Sequence, residues 1–164
     1  MERPRLAIPL DGVDRILNLS CIALIILQGV VSIYYYTILP ETIPIHFNMN
    51  GEPNGYGSKV GILFLPVFSL VVFLALSKLN QYPHTFNYPV SVTVDNAKRQ
   101  YSLAQKLMRW TNLSLILISL LVLVFIVYSA EIGVAPSSVL LIVVITALAL
   151  LPAVVYLYLA YNNS

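Results

Sequence analysis

The sequence predicts an all-α polytopic membrane protein: four transmembrane helices, an outer loop forming a cap, and an inner amphipathic helix, all in one domain over 1–164. Three observations carry that expectation. The chain is 59% hydrophobic and only 10% charged, whereas soluble domains are usually about 45–50% apolar. Its apolar residues gather in four runs, 16–39, 60–77, 110–130 and 137–160, each free of Asp, Glu, Lys and Arg. Runs of roughly 18 to 24 residues suffice for a helix to cross about 30 Å of hydrocarbon. A backbone in lipid must bond to itself, and the ten-residue alternation of a membrane barrel is absent.

The first run is too long for the apolar core of a signal peptide, and "VSIYYYTILP" offers no small-residue cleavage site. Cys21 precedes the apolar core, so it reads as a small buried side chain and not as a lipidation site. Gln28 and Ser32 lie four apart and share a helix face; Asn112 and Ser119 do so on the third run. Pro66 and Pro152 are expected to bend the second and fourth helices. Tyr34, Tyr35, Tyr36, Tyr128, Tyr156, Tyr158, Tyr161 and Trp110 stand at run ends, as interfacial aromatic belts do.

Between the first two runs lies "LPETIPIHFNMNGEPNGYGSK", residues 39–59. Pro40 stops the helix, and Pro44 holds "TIPIHF" extended. Gly51, Gly55 and Gly57 suit positive φ, and Asn50-Gly51 and Asn54-Gly55 are turn pairs. Ile43, Ile45, Phe47 and Tyr56 are expected to pack on the helix ends. The segment reads as an ordered cap. In 78–109, "NQYPHTFNYPVSV" reads as an extended interfacial loop. From Thr93 or Asp95 the pattern turns helical, with Asp95 as cap, and lies on or runs into the third helix.

Eight of the nine basic residues fall before the first run or between the second and third; Lys59 is the exception. This asymmetry predicts a plasma-membrane protein with both termini and 78–109 cytoplasmic, and 39–59 outside. The basic residues then face anionic lipid, and no basic cluster with interleaved aromatics suggests nucleic acid.

The spans carry no ionisable group, so a proton relay or charge-coupled pump lacks its essential part. His46 and His84 fall on opposite sides, and no HExxH, GxSxG or paired intramembrane Asp is present. The expectation is therefore a protein without catalysis, cofactor or metal. Its candidate binding residues are Pro44, His46, Phe47, Asn48, Gly51, Asn54 and Lys59 in the outer loop. The expected partners are the bilayer and, at that loop, a secreted peptide or another membrane protein; no oligomeric state is indicated. Two alternatives stay open: a small carrier or channel for a neutral or lipid-like solute along Gln28, Ser32, Asn112 and Ser119, and a metal-assisted enzyme centred on His46 with Glu41 and Glu52.

The outer loop, with its "LP", "IPIHF", "NGEP" and closing Lys59, resembles a membrane domain of unknown function found N-terminally in SdpI-like toxin-immunity proteins. The later "FNYPVSVTVDNAKRQYSLAQKLMRW" is similar to the cytoplasmic segment of that family. The resemblance covers roughly 15–130. It implies an immunity or sensory role, with family positions at Pro40, Pro44, His46, Phe47, Gly51, Pro53 and Lys59. On the other side it implies Asn87, Tyr88, Pro89, Thr93, Asn96, Ala97, Gln100 and Tyr101. By that resemblance the chain is expected to be a short form, without the further membrane half that defines SdpI proper.

Overall fold

The computed structural model describes residues 3–48, 50–134 and 138–162. The chain runs α1 (Gly12–Ile38), β1 (Thr42–Phe47), β2 (Pro53–Ser58), α2 (Gly61–Leu79), a one-turn 3-10 helix (Pro83–Thr85), α3 (Ala97–Ile132) and α4 (Ser138–Tyr161). All four α-helices are long and apolar enough to cross a membrane, as expected. The expected start of the fourth helix at 137 lies outside the described residues.

α1 begins four residues before its apolar run, because a capping box fixes its start. Asp11 Oδ1 accepts from Asp14 N (2.9 Å), and Asp14 Oδ2 accepts from Asp11 N (3.1 Å). The expected inner amphipathic helix and third span are one continuous helix, α3, of 36 residues. At 1.5 Å per residue it is about 54 Å long, well beyond the hydrocarbon thickness. Asp95 is not its cap. Asn96 and Thr93 fold the entry between them: Thr93 N donates to Asn96 Oδ1 (2.9 Å), and Asn96 N donates to Thr93 Oγ1 (3.3 Å). A hydroxyl and an amide three apart satisfy each other's backbone, which Asp95 cannot do.

α3 is the central element. It packs against α1, α2 and α4, and against β1. A third of its most apolar window is buried inside the protein, against 6% for α4. α4 is held mainly by α3, where Ala104 meets Tyr156 and Ala160 and where Phe86 and Tyr88 of the preceding loop also pack. Tyr156 is accordingly buried rather than in the belt, while Tyr158 and Tyr161 are exposed.

At mid-bundle the polar face of α1 bonds across both neighbours. Gln28 Nε2 donates to Ser119 Oγ (2.7 Å), and Ser69 Oγ donates to Gln28 Oε1 (2.8 Å). Pro66 has no N–H, so the carbonyl of Ile62, one turn earlier, loses its helical donor. Ser32 Oγ donates to it instead (3.1 Å). Both prolines lie inside uninterrupted helices.

Candidate functional site

The 39–59 loop, expected as a cap shaped by turn pairs, is a two-stranded antiparallel hairpin. β1 is the extended "TIPIHF" that Pro44 favours. β2 is "PNGYGS", so two of the glycines assigned to turns sit in a strand. Of the loop's three glycines, Gly51 alone has positive φ, at 81°. It closes the connection built on Asn48, whose Oδ1 accepts from the N–H of Asn50 and of Glu52, both at 2.9 Å, and whose Nδ2 reaches Glu52 (2.8 Å). Gly55 and Gly57 are needed for space. A Cβ at Gly55 would lie 2.8 Å from His46 Cβ, and one at Gly57 would lie 2.7 Å from Ile45 Cδ1. The register slips on either side of His46, the mark of a bulge that twists and re-aims the strand.

Three contacts fix the hairpin to the bundle. Ile43 is buried with Leu39, Ile62, Leu123 and Val127. Phe47 meets Phe125 of α3 edge to face at 5.4 Å. Lys59 is the third. It is almost buried, donates to the Leu39 carbonyl (3.0 Å), pairs with Glu41 (3.1 Å) and lies 5.0 Å from the Tyr36 ring centre. Its ammonium satisfies the carbonyl left open where Pro40 ends α1, so Lys59 clasps α1 to α2.

The remaining loop positions face outward. His46 is exposed, and its Nδ1 is hydrogen-bonded with Asn54 Oδ1. Ile45 and Tyr56 are large and more than half exposed beside it. The hairpin thus divides its predicted residues. Pro44, Phe47 and Lys59 hold it, Asn48 and Gly51 shape its turn, and His46 and Asn54 present a surface. Glu41, Glu52 and His46, the candidate metal ligands, are each engaged by a different partner. Among the described residues no three His, Cys, Asp or Glu side chains converge.

The motif on the other side forms a second layer. Tyr88 donates to the Pro83 carbonyl (2.7 Å), lies 5.7 Å from the Tyr101 ring, and carries the Arg3 guanidinium at 5.3 Å. Burial raises its phenol pKa well above the usual value. Tyr101 is fully buried and donates to the Pro4 carbonyl (3.0 Å). Gln100 is also fully buried, with neither amide atom bonded among the described residues. Asn87 is exposed and Pro89 half-buried.

Sequence reasoning missed the ion pair of Asp14 with Arg109, at 3.2 Å and with both side chains more than nine-tenths buried. The signal available was the spacing of Asp11 and Asp14 as a capping box.

Part of the chain is similar to a known family. Residues 23–70, from α1 through the hairpin into α2, match the family described as a domain of unknown function (DUF1648). An uncharacterized protein of Archaeoglobus fulgidus is 42% identical over 81 residues, which cover 44% of this chain and 43% of that protein. The chain thus spans less than half the length of this curated relative. No solved structure matches.

Proposed function

We propose that this multi-pass membrane protein is a non-enzymatic receptor of SdpI-like, immunity or sensory type, and that the hairpin receives an extended peptide. The observation that carries the reading is the division of labour in the hairpin. Residues facing the bundle clamp it, while His46, Asn54, Ile45 and Tyr56 stand exposed on a rigid frame. A two-stranded sheet has open edges, so a third strand can add by main-chain bonds with side chains selecting it. A secreted peptide, or an outer segment of another membrane protein, meets that description.

The loop's carboxylates support a non-catalytic role, since both serve the hairpin's own shape: Glu41 pairs with Lys59 and Glu52 with Asn48. The Gln28–Ser69–Ser119 bonds likewise speak against a solute path, because the groups that would line it satisfy one another. The basic residues favour a plasma-membrane location with the hairpin outside and the termini inside.

Expression in a cell sensitive to a membrane-active peptide tests the role. Protection by the intact chain, lost in His46→Ala with Tyr56→Ser, is the expected result. No protection, together with no peptide binding in detergent, overturns it. Orientation is read by placing a cysteine at Asn50 in a Cys21→Ser background; a membrane-impermeant maleimide should label intact cells.

A further inference from the structure

Residues 3–11 cross the end of the bundle opposite the hairpin as an irregular strap, tied at both ends. Arg3 donates to the backbone carbonyls of Phe86 and His84, and Pro4 accepts from Tyr101. Asp11 caps α1 and pairs with Lys106. Between the ties, Leu6, Ile8 and Leu10 line one side of a half-open cavity of about 440 Å³, within the usual size of a ligand pocket. The other walls are polar: Asn18 from α1, Asn80 and Gln81 at the end of α2, Gln105 and Arg109 from α3.

Three features give this cavity the character of a site. Arg109 is 7% exposed, and Asp14 engages one corner of its planar fork through charge alone, without hydrogen-bond geometry on that oxygen. Asn80, also 7% exposed, is held by two bonds with Gln105. Its Nδ2 donates to the Gln105 carbonyl (3.2 Å), and its own carbonyl accepts from Gln105 Nε2 (2.9 Å). That leaves Asn80 Oδ1 buried with no donor among the described residues. The charge is lopsided as well. Segments 5–18, 77–81 and 105–109 carry Arg5, Arg15, Lys78, Lys106 and Arg109, five cations, against two anions, Asp11 and Asp14.

We propose that this strapped cavity binds the phosphodiester headgroup of an anionic phospholipid that carries a free hydroxyl, of the glycerol-phosphate kind. The phosphate accepts from the guanidinium of Arg109, whose fork suits a tetrahedral oxyanion. The hydroxyl donates to Asn80 Oδ1. Asn18 and Gln81 can take either role. The cavity lies where the apolar spans end, at headgroup depth, and its apolar side suits the glycerol-ester region. Basic pockets between membrane helices take such headgroups in general.

The test uses the full chain in nanodiscs of phosphatidylcholine, with or without phosphatidylglycerol, read by native mass spectrometry and thermal unfolding. Phosphatidylglycerol should be retained about tenfold better than phosphatidylcholine, a difference of about 1.4 kcal/mol. Asn18→Asp breaks none of the bonds above and puts a carboxylate in the cavity; the preference should vanish while the melting temperature in phosphatidylcholine stays unchanged. Should that variant fold poorly, Arg109→Lys keeps the charge opposite Asp14 but loses the fork, and the preference should fall several-fold. Equal retention of both lipids by the intact chain overturns the proposal, as does a preference that survives both substitutions. Stabilisation by soluble glycerol phosphate but not by phosphatidylglycerol overturns a lipid as the source.

Discussion

Single residues in the hairpin have separable duties. Gly55 lies against the Cβ of His46, an atom fixed to the backbone, whereas Gly57 lies against the flexible tip of Ile45. Gly55→Ala should destabilise the hairpin by about 1–3 kcal/mol through overpacking, and Gly57→Ala should cost clearly less. Protease susceptibility of residues 42–58 measures both. The glycine count was legible in the sequence, but the reason was not. Positive φ and close approach both select glycine, and of the loop's three only Gly51 uses the first. Lys59 shows the same limit from the other direction. A lone outer lysine reads as a surface cation until the open Leu39 carbonyl appears beside it.

At the scale of elements, the spans were legible because lipid imposes a run length that no soluble context needs. Their partners were harder to read, since pairing joins residues far apart in the chain. Ser32 and Pro66 are an example: one supplies the donor that the other removes, at the Ile62 carbonyl. Ser32→Ala should cost about 1 kcal/mol by orphaning that carbonyl. In a Pro66→Ala background, where the helical donor returns, it should cost much less; a double-mutant cycle on reversible detergent unfolding reads the coupling. The Asp14–Arg109 pair lies just outside the apolar runs, so a search for charge inside them passes it by. Asp14→Ala leaves a buried guanidinium unpaired and should cost about 3–5 kcal/mol, against a far smaller loss when Arg109→Met accompanies it. Nearby, the Lys106 ammonium holds the Asp11 carboxyl below its usual pKa. That tie is intact above the ordinary carboxylate range and lost as pH falls through the lowered value. The Asp11 end of the strap should therefore become protease-sensitive only as pH falls below the ordinary carboxylate range.

The whole molecule is a three-helix unit with a fourth helix added at one side. α1, α2, the hairpin and α3 share the buried polar bonds, while the extensive helix contact of α4 is with α3. An apolar groove of about 390 Å³ lies along that contact, between Leu107, Trp110, Leu148 and Val155. A chain ending after Gly133 should still insert and keep its hairpin resistant to protease. Loss of that resistance would mean that α4 supports the core. The sequence shows four runs of similar strength, so this inequality was invisible in it; hydropathy records affinity for lipid and says nothing of which neighbour a helix touches.

α3 touches both ends of the molecule, meeting Phe47 of the hairpin through Phe125 and the strap through Tyr101 and Lys106. Its 36 residues carry no proline and no break. Mechanically it is a stiff lever about 54 Å long. Between Phe125 and Tyr101 the arm is about 36 Å, so a tilt of about 5° imposed at one contact would swing the other by roughly 3 Å, enough to part a hydrogen bond. The hairpin and the strap therefore rest on one rigid body.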